Sequence, residues 1–118
     1  NVNAATDYGV TPLSLACTNG RAAMVEALLK AGANPNAVLW NGETPLMTSA
    51  RTGNVESVKL LLAHGGNPNA KENQQGHTPL MRAVAEKHPE VVRILIEHGA
   101  DVRARSKSGF TGGAGKAS

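Results

Sequence analysis

Apolar positions come in short clusters with helical spacing. Met24/Val25 precede Leu28/Leu29, Val58 precedes Leu61/Leu62, and Val91/Val92 precede Leu95/Ile96, so each set lies along one face of a helix. The opposite face of these segments carries Glu26, Lys30, Glu56, Lys59, Glu90, Arg93 and Glu97. Gly32, Gly65 and Gly99 close the three runs. A second kind of helix start is written as Thr-Pro-Leu at 11–13, 44–46 and 78–80. The threonine hydroxyl can accept from early helical amides, and proline suits the first helical position because it needs no donor there. Gly20 and Gly53 stop the first two of these helices after about two turns, in a residue type that takes a left-handed cap readily. Asn34-Pro35-Asn36, Asn67-Pro68-Asn69 and Asp101-Val102-Arg103 then lead into an extended turn. Each unit reads as helix, turn, helix, finger.

The Thr-Pro-Leu spacings are 33 and 34 residues, and Gly9, Gly42, Gly76 and Gly109 keep the same beat two residues before a threonine. The extra residue of the second spacing lies around Glu72 to Gln75, which predicts a middle finger that bulges or reaches further. Lys87 stands where the other units place Gly20 and Gly53. Either a lysine takes a left-handed conformation, at a cost of about 1 kcal/mol, or the turn changes shape. A helix pair this small cannot bury its apolar surface alone, so the units must stack on a shared core.

Gly-x-Thr-Pro-Leu, a glycine turn, a Val-x-x-Leu-Leu helix and Gly-Ala-Asn-Pro-Asn-Ala together resemble ankyrin repeats. The resemblance implies an all-α solenoid of stacked helix-turn-helix units with projecting β-hairpin-like fingers. The array is expected over residues 1–111, with repeats at about 6–38, 39–72 and 73–105 and partial units at 1–5 and 106–111. Residues 112–118 read as a flexible tail or cloning scar, and the whole as an excised piece whose last apolar faces, around Val91 to Ile96, lie partly bare and open to self-association. Ankyrin repeats often carry histidine after Thr-Pro-Leu. Ser14, Met47 and Met81 stand there instead, which removes a tie between neighbouring repeats.

Composition narrows the function. The 118 residues, 12.2 kDa in all, allow one domain or a short array and exclude a large multi-domain enzyme. Tyr8, Trp40 and Phe110 are the only aromatic residues, so the core is aliphatic. A single cysteine, Cys17, rules out an internal disulfide; beside Ala50 and Val84 in the other units, it fits a small buried slot. No apolar run approaches a membrane span. The absence of a leader-like opening and of a cysteine pair favours an intracellular home, with the compartment itself unknown. No phosphate loop, His-Glu-x-x-His or serine elbow is present, so catalysis and cofactors are not expected. His64 and His98 match in register but fall about 10 Å apart on stacked units, too far to share a metal.

The resemblance implies a protein-binding module that grips its partner with finger tips and the ends of the first helices. Carried over unit by unit, these are Asp7, Tyr8, Val10, Thr18 and Asn19, then Trp40, Asn41, Glu43, Arg51 and Thr52, then Gln74, Gln75, His77, Ala85 and Glu86, with Lys107, Ser108 and Phe110 continuing the row. Trp40 is the leading anchor, since tryptophan and tyrosine are enriched at interface hot spots; its other reading is that the ring folds back over the neighbouring finger. The alternatives are a natural fragment or engineered array with no partner of its own, and polyanion or nucleic-acid binding through Arg103, Arg105, Lys107 and Lys116. Acidic residues along the proposed row make nucleic acid the lesser reading.

Overall fold

The computed structural model describes residues 1–106. Lys107, Ser108, Phe110, Lys116 and the proposed tail at 112–118 lie outside the described residues. Six helices form three pairs: α1 (Pro12–Thr18) with α2 (Ala22–Lys30), α3 (Pro45–Thr52) with α4 (Val55–Ala63), and α5 (Pro79–Ala85) with α6 (Pro89–Glu97). The first helices stack as one layer, α1 on α3 on α5, and the second helices as another, α2 on α4 on α6.

The Thr-Pro starts act as the sequence predicts. The hydroxyls of Thr11, Thr44 and Thr78 accept from the backbone amides of Ser14, Met47 and Met81 at 3.1, 3.3 and 3.3 Å. Ser14 adds a return bond, its hydroxyl oxygen accepting from the Thr11 amide at 2.9 Å. The same position in the next unit, Met47, is fully buried. A local capping box and core packing thus occupy the place of the tie expected to be lost there.

Each first helix ends in one motif. The amides of Arg21, Asn54 and His88 reach back five residues to the carbonyls of Ala16, Ser49 and Ala83, which requires a left-handed residue in between. Gly20 and Gly53 supply it with φ of 67° and 78°, and Lys87 adopts the same conformation at 61°. Lysine therefore accepts the strain and the turn keeps its shape.

The core runs the length of the stack. Leu13, Leu46 and Leu80 from the first helices meet Val25, Leu29, Val58, Leu61, Val91, Ile94 and Leu95 from the second. Full burial of each such side chain is worth roughly 1.5–3 kcal/mol. The bare apolar positions match the expected stretch only in part: Ile96 lies within it and Val84 outside it. Val91, Ile94 and Leu95 are buried, whereas Val84 is 58% exposed on α5 and Ile96 47% on α6. At the opposite end Leu15 and Met24 are exposed; their equivalents Thr48 and Ser57 are buried because the first unit covers them.

A carboxamide ladder joins the units along one edge. The Asn3 side chain accepts from the Asn34 amide at 2.8 Å and donates to the Gly32 carbonyl at 3.2 Å. Asn36 does the same to Asn67 and Gly65, and Asn69 to Asp101 and Gly99. Arg103 occupies the next equivalent position.

Candidate partner-binding surface

The fingers are hydrogen-bonded turns; no strand is present among the described residues. The first closes with Thr6 N–H donating to the Val10 carbonyl and the second with Leu39 to Glu43. The third closes with Glu72 to His77, one residue wider, which is the bulge that the longer spacing predicts. Neighbouring fingers share one backbone bond each, from Trp40 N–H to the Tyr8 carbonyl at 2.8 Å and from Asn73 N–H to the Asn41 carbonyl at 2.7 Å. That is too few bonds for a ladder, and the β-hairpin-like fingers that the resemblance implies take the form of hydrogen-bonded turns without strands among the described residues.

A different side chain braces each finger from inside. Thr6 Oγ1 accepts from the amides of Tyr8 and Val10, Asn41 Oδ1 from that of Glu43, and Glu72 Oε1 from those of Gln75 at 2.6 Å and His77 at 3.1 Å. The wider third turn needs the longer reach of glutamate. Burial by itself would push the Glu72 carboxyl up, but the backbone N–H groups of His77, Gln75, Gly76 and Gln74 together hold it below its ordinary value.

At the tips, Tyr8 and Trp40 are 68% and 62% exposed on successive fingers whose backbones are bonded at those two residues. Gly9 makes the approach possible: a Cβ there would sit 2.5 Å from the Val38 carbonyl oxygen. Asp7 precedes Tyr8 on the first finger and is exposed, as are Gln74 and Gln75 on the third, while Val10, Asn41 and His77 are half-buried. Arg51, Thr52, Thr18, Asn19, Ala85 and Glu86 are exposed at the ends of the first helices.

Glu43, expected in the contact row, is instead turned inward and buried. Its carboxylate accepts from Thr48 Oγ1 at 2.6 Å and lies 3.6 Å from the Arg82 guanidinium and 3.9 Å from that of Arg51. Arg82 also lies 4.0 Å from Glu72. Sequence reading passed over Arg82, whose signal is a charge where the other units carry Leu15 and Thr48. Cys17 is fully buried on the inner side of α1; burial pushes its thiol up, and the neighbouring Ser49 hydroxyl offsets this only in part. His64 and His98 cap the ends of α4 and α6, and the His98 ring bonds the Ile94 carbonyl of its own helix at 2.9 Å.

Family comparison agrees with this geometry. A family model for ankyrin repeats in three copies matches residues 34–106, and a single ankyrin repeat model matches residues 8–38. The chain belongs to the ankyrin repeat family. Its described residues form an ankyrin solenoid of helix pairs, and proteins of this family are generally non-enzymatic modules for binding other proteins. A comparison with curated proteins gives no match. No helix among the described residues is long and apolar enough to cross a membrane.

Proposed function

We propose that this ankyrin array is a non-catalytic binding module that engages a partner protein through its finger tips, with Tyr8 and Trp40 as the anchors. The observation that carries this reading is the pair of large aromatic side chains held in the open on adjacent, backbone-linked tips. Aromatic rings offer much contact area for few rotatable bonds, and their exposure without a partner is otherwise unfavourable. Asp7, Gln74, Gln75, Arg51, Thr52 and Glu86 form the polar surround; Lys107, the candidate in the next unit of the sequence, lies outside the described residues. Because the fingers are braced from inside, little conformational freedom is lost on association. Glu43 supports this surface from below.

Affinity capture with the wild-type protein and with Trp40→Ala tests the proposal. Truncation of a central aromatic anchor should weaken capture by roughly 2 kcal/mol or more, about thirtyfold, while thermal unfolding stays unchanged. Undiminished capture by the variant removes Trp40 from the surface.

A further inference from the structure

Three positions near the fingers depart from the repeat pattern together. Where the first and second fingers meet, the corresponding residues are Val10, Leu39 and Thr48, all uncharged. Where the second and third meet, they are Glu43, Glu72 and Arg82. The two carboxylates belong to different fingers, and the one guanidinium lies 3.6 Å from the first and 4.0 Å from the second. Each carboxylate also governs its own finger. Glu43 is tied to α3 through Thr48, and Glu72 gathers the amides of Gln75 and His77.

We propose that Arg82 is a positioning residue for the partner surface, a clamp that makes the second and third fingers behave as one rigid body while the first follows on its own. The functional meaning of the clamp rests on the finger-tip reading above. The three side chains are largely withdrawn from water, at 10%, 4% and 17% exposure, so salt screens them less than a surface pair. Arginine suits the task because its planar fork can address two carboxylates from a fixed stem, which an ammonium point charge does less well. Between the first and second fingers the Trp40–Tyr8 backbone bond has no such ionic reinforcement among the described residues. A partner would accordingly meet a fixed platform, Trp40 to His77, flanked by a separately adjustable tip at Tyr8.

Amide hydrogen exchange of the whole chain, followed residue by residue by NMR, tests this without a partner. In Arg82→Leu, which places there the residue type of Leu15, the amides of Glu43, Gln75 and His77 should exchange about tenfold faster as a group. Those of Tyr8 and Val10 should stay within about twofold of wild type. Arg82→Lys should give an intermediate loss in the same three amides, and it carries the test if the leucine variant fails to fold. Loosening of only one finger, equal acceleration of all five amides, or no change overturns the clamp. Loss of the clamp with Trp40→Ala still defective in capture would leave the binding surface standing; the converse result would leave the clamp standing without it.

Discussion

Lys87 shows how a single residue can carry strain for the sake of the repeat. Its φ of 61° places a side chain in a region that costs a non-glycine residue about 1–2 kcal/mol, while glycine there would cost more chain entropy on folding, by roughly 0.5–1 kcal/mol. Lys87→Gly is therefore expected to gain about 0.5 kcal/mol and raise the unfolding midpoint by about 2–4 °C; a clear loss would contradict the left-handed turn. The reverse change at Gly53 should cost roughly 2 kcal/mol by chemical denaturation, because the added Cβ meets both an unfavourable φ of 78° and the His88 ring at 2.5 Å. Glu72 gives a pH signature at the same scale. Its folded carboxyl titrates below the ordinary value, so its stabilising contribution is complete above the unfolded pKa of about 4.3 and is lost as pH falls through the lower folded value. Glu72→Gln should flatten the stability profile in that acid window, as read from denaturation midpoints against pH, and leave the slope near neutrality unchanged.

At the scale of the elements, the helix starts, helix stops and finger widths were legible because each is set by local chemistry. Thr-Pro is a cap, glycine is a left-handed turn, and an inserted residue must widen the turn that holds it. Even the departure at Lys87 could be placed, since the other two units fixed what the turn required. The inner ion network was not legible. Glu43 sits at a finger position like Val10 and His77; it turns inward to the Thr48 hydroxyl and to Arg82, 39 residues away, and register along the repeat reveals neither contact. The exposure of Val84 was hidden for a related reason. Its counterparts Cys17 and Ala50 are fully buried because the following unit covers them, and burial of this position is decided by the neighbour and not by its own helix. The finger tips stand between these cases: register along the repeat locates Tyr8 and Trp40, and only the fold brings out the backbone bond that sets them side by side.

Over the whole molecule, a stack whose units touch only their neighbours distributes stability unevenly along its length. The middle unit is covered on both sides. Leu46→Ala should cost about 3 kcal/mol or more in urea unfolding, since Leu46 is fully buried and the cavity cannot collapse from either side. Leu15→Gln and Val84→Gln, at the two open faces, should each change stability by no more than about 0.5 kcal/mol. Equal costs at all three positions would mean that the open faces are covered in solution, and sedimentation would then show a larger particle than one chain.

The asparagine side chains at 3, 36 and 69 each hold two points of the following turn, a carbonyl and an amide two residues apart. Such a side chain works as a gauge block: its length, and not merely its polarity, determines how far one module sits from the next. Glutamine keeps the same functional group but is a methylene longer, so it satisfies both points only if the rise between modules changes. The rise from one module to the next, and with it the spacing at which the aromatic tips are offered, is in this sense dimensioned by the reach of asparagine.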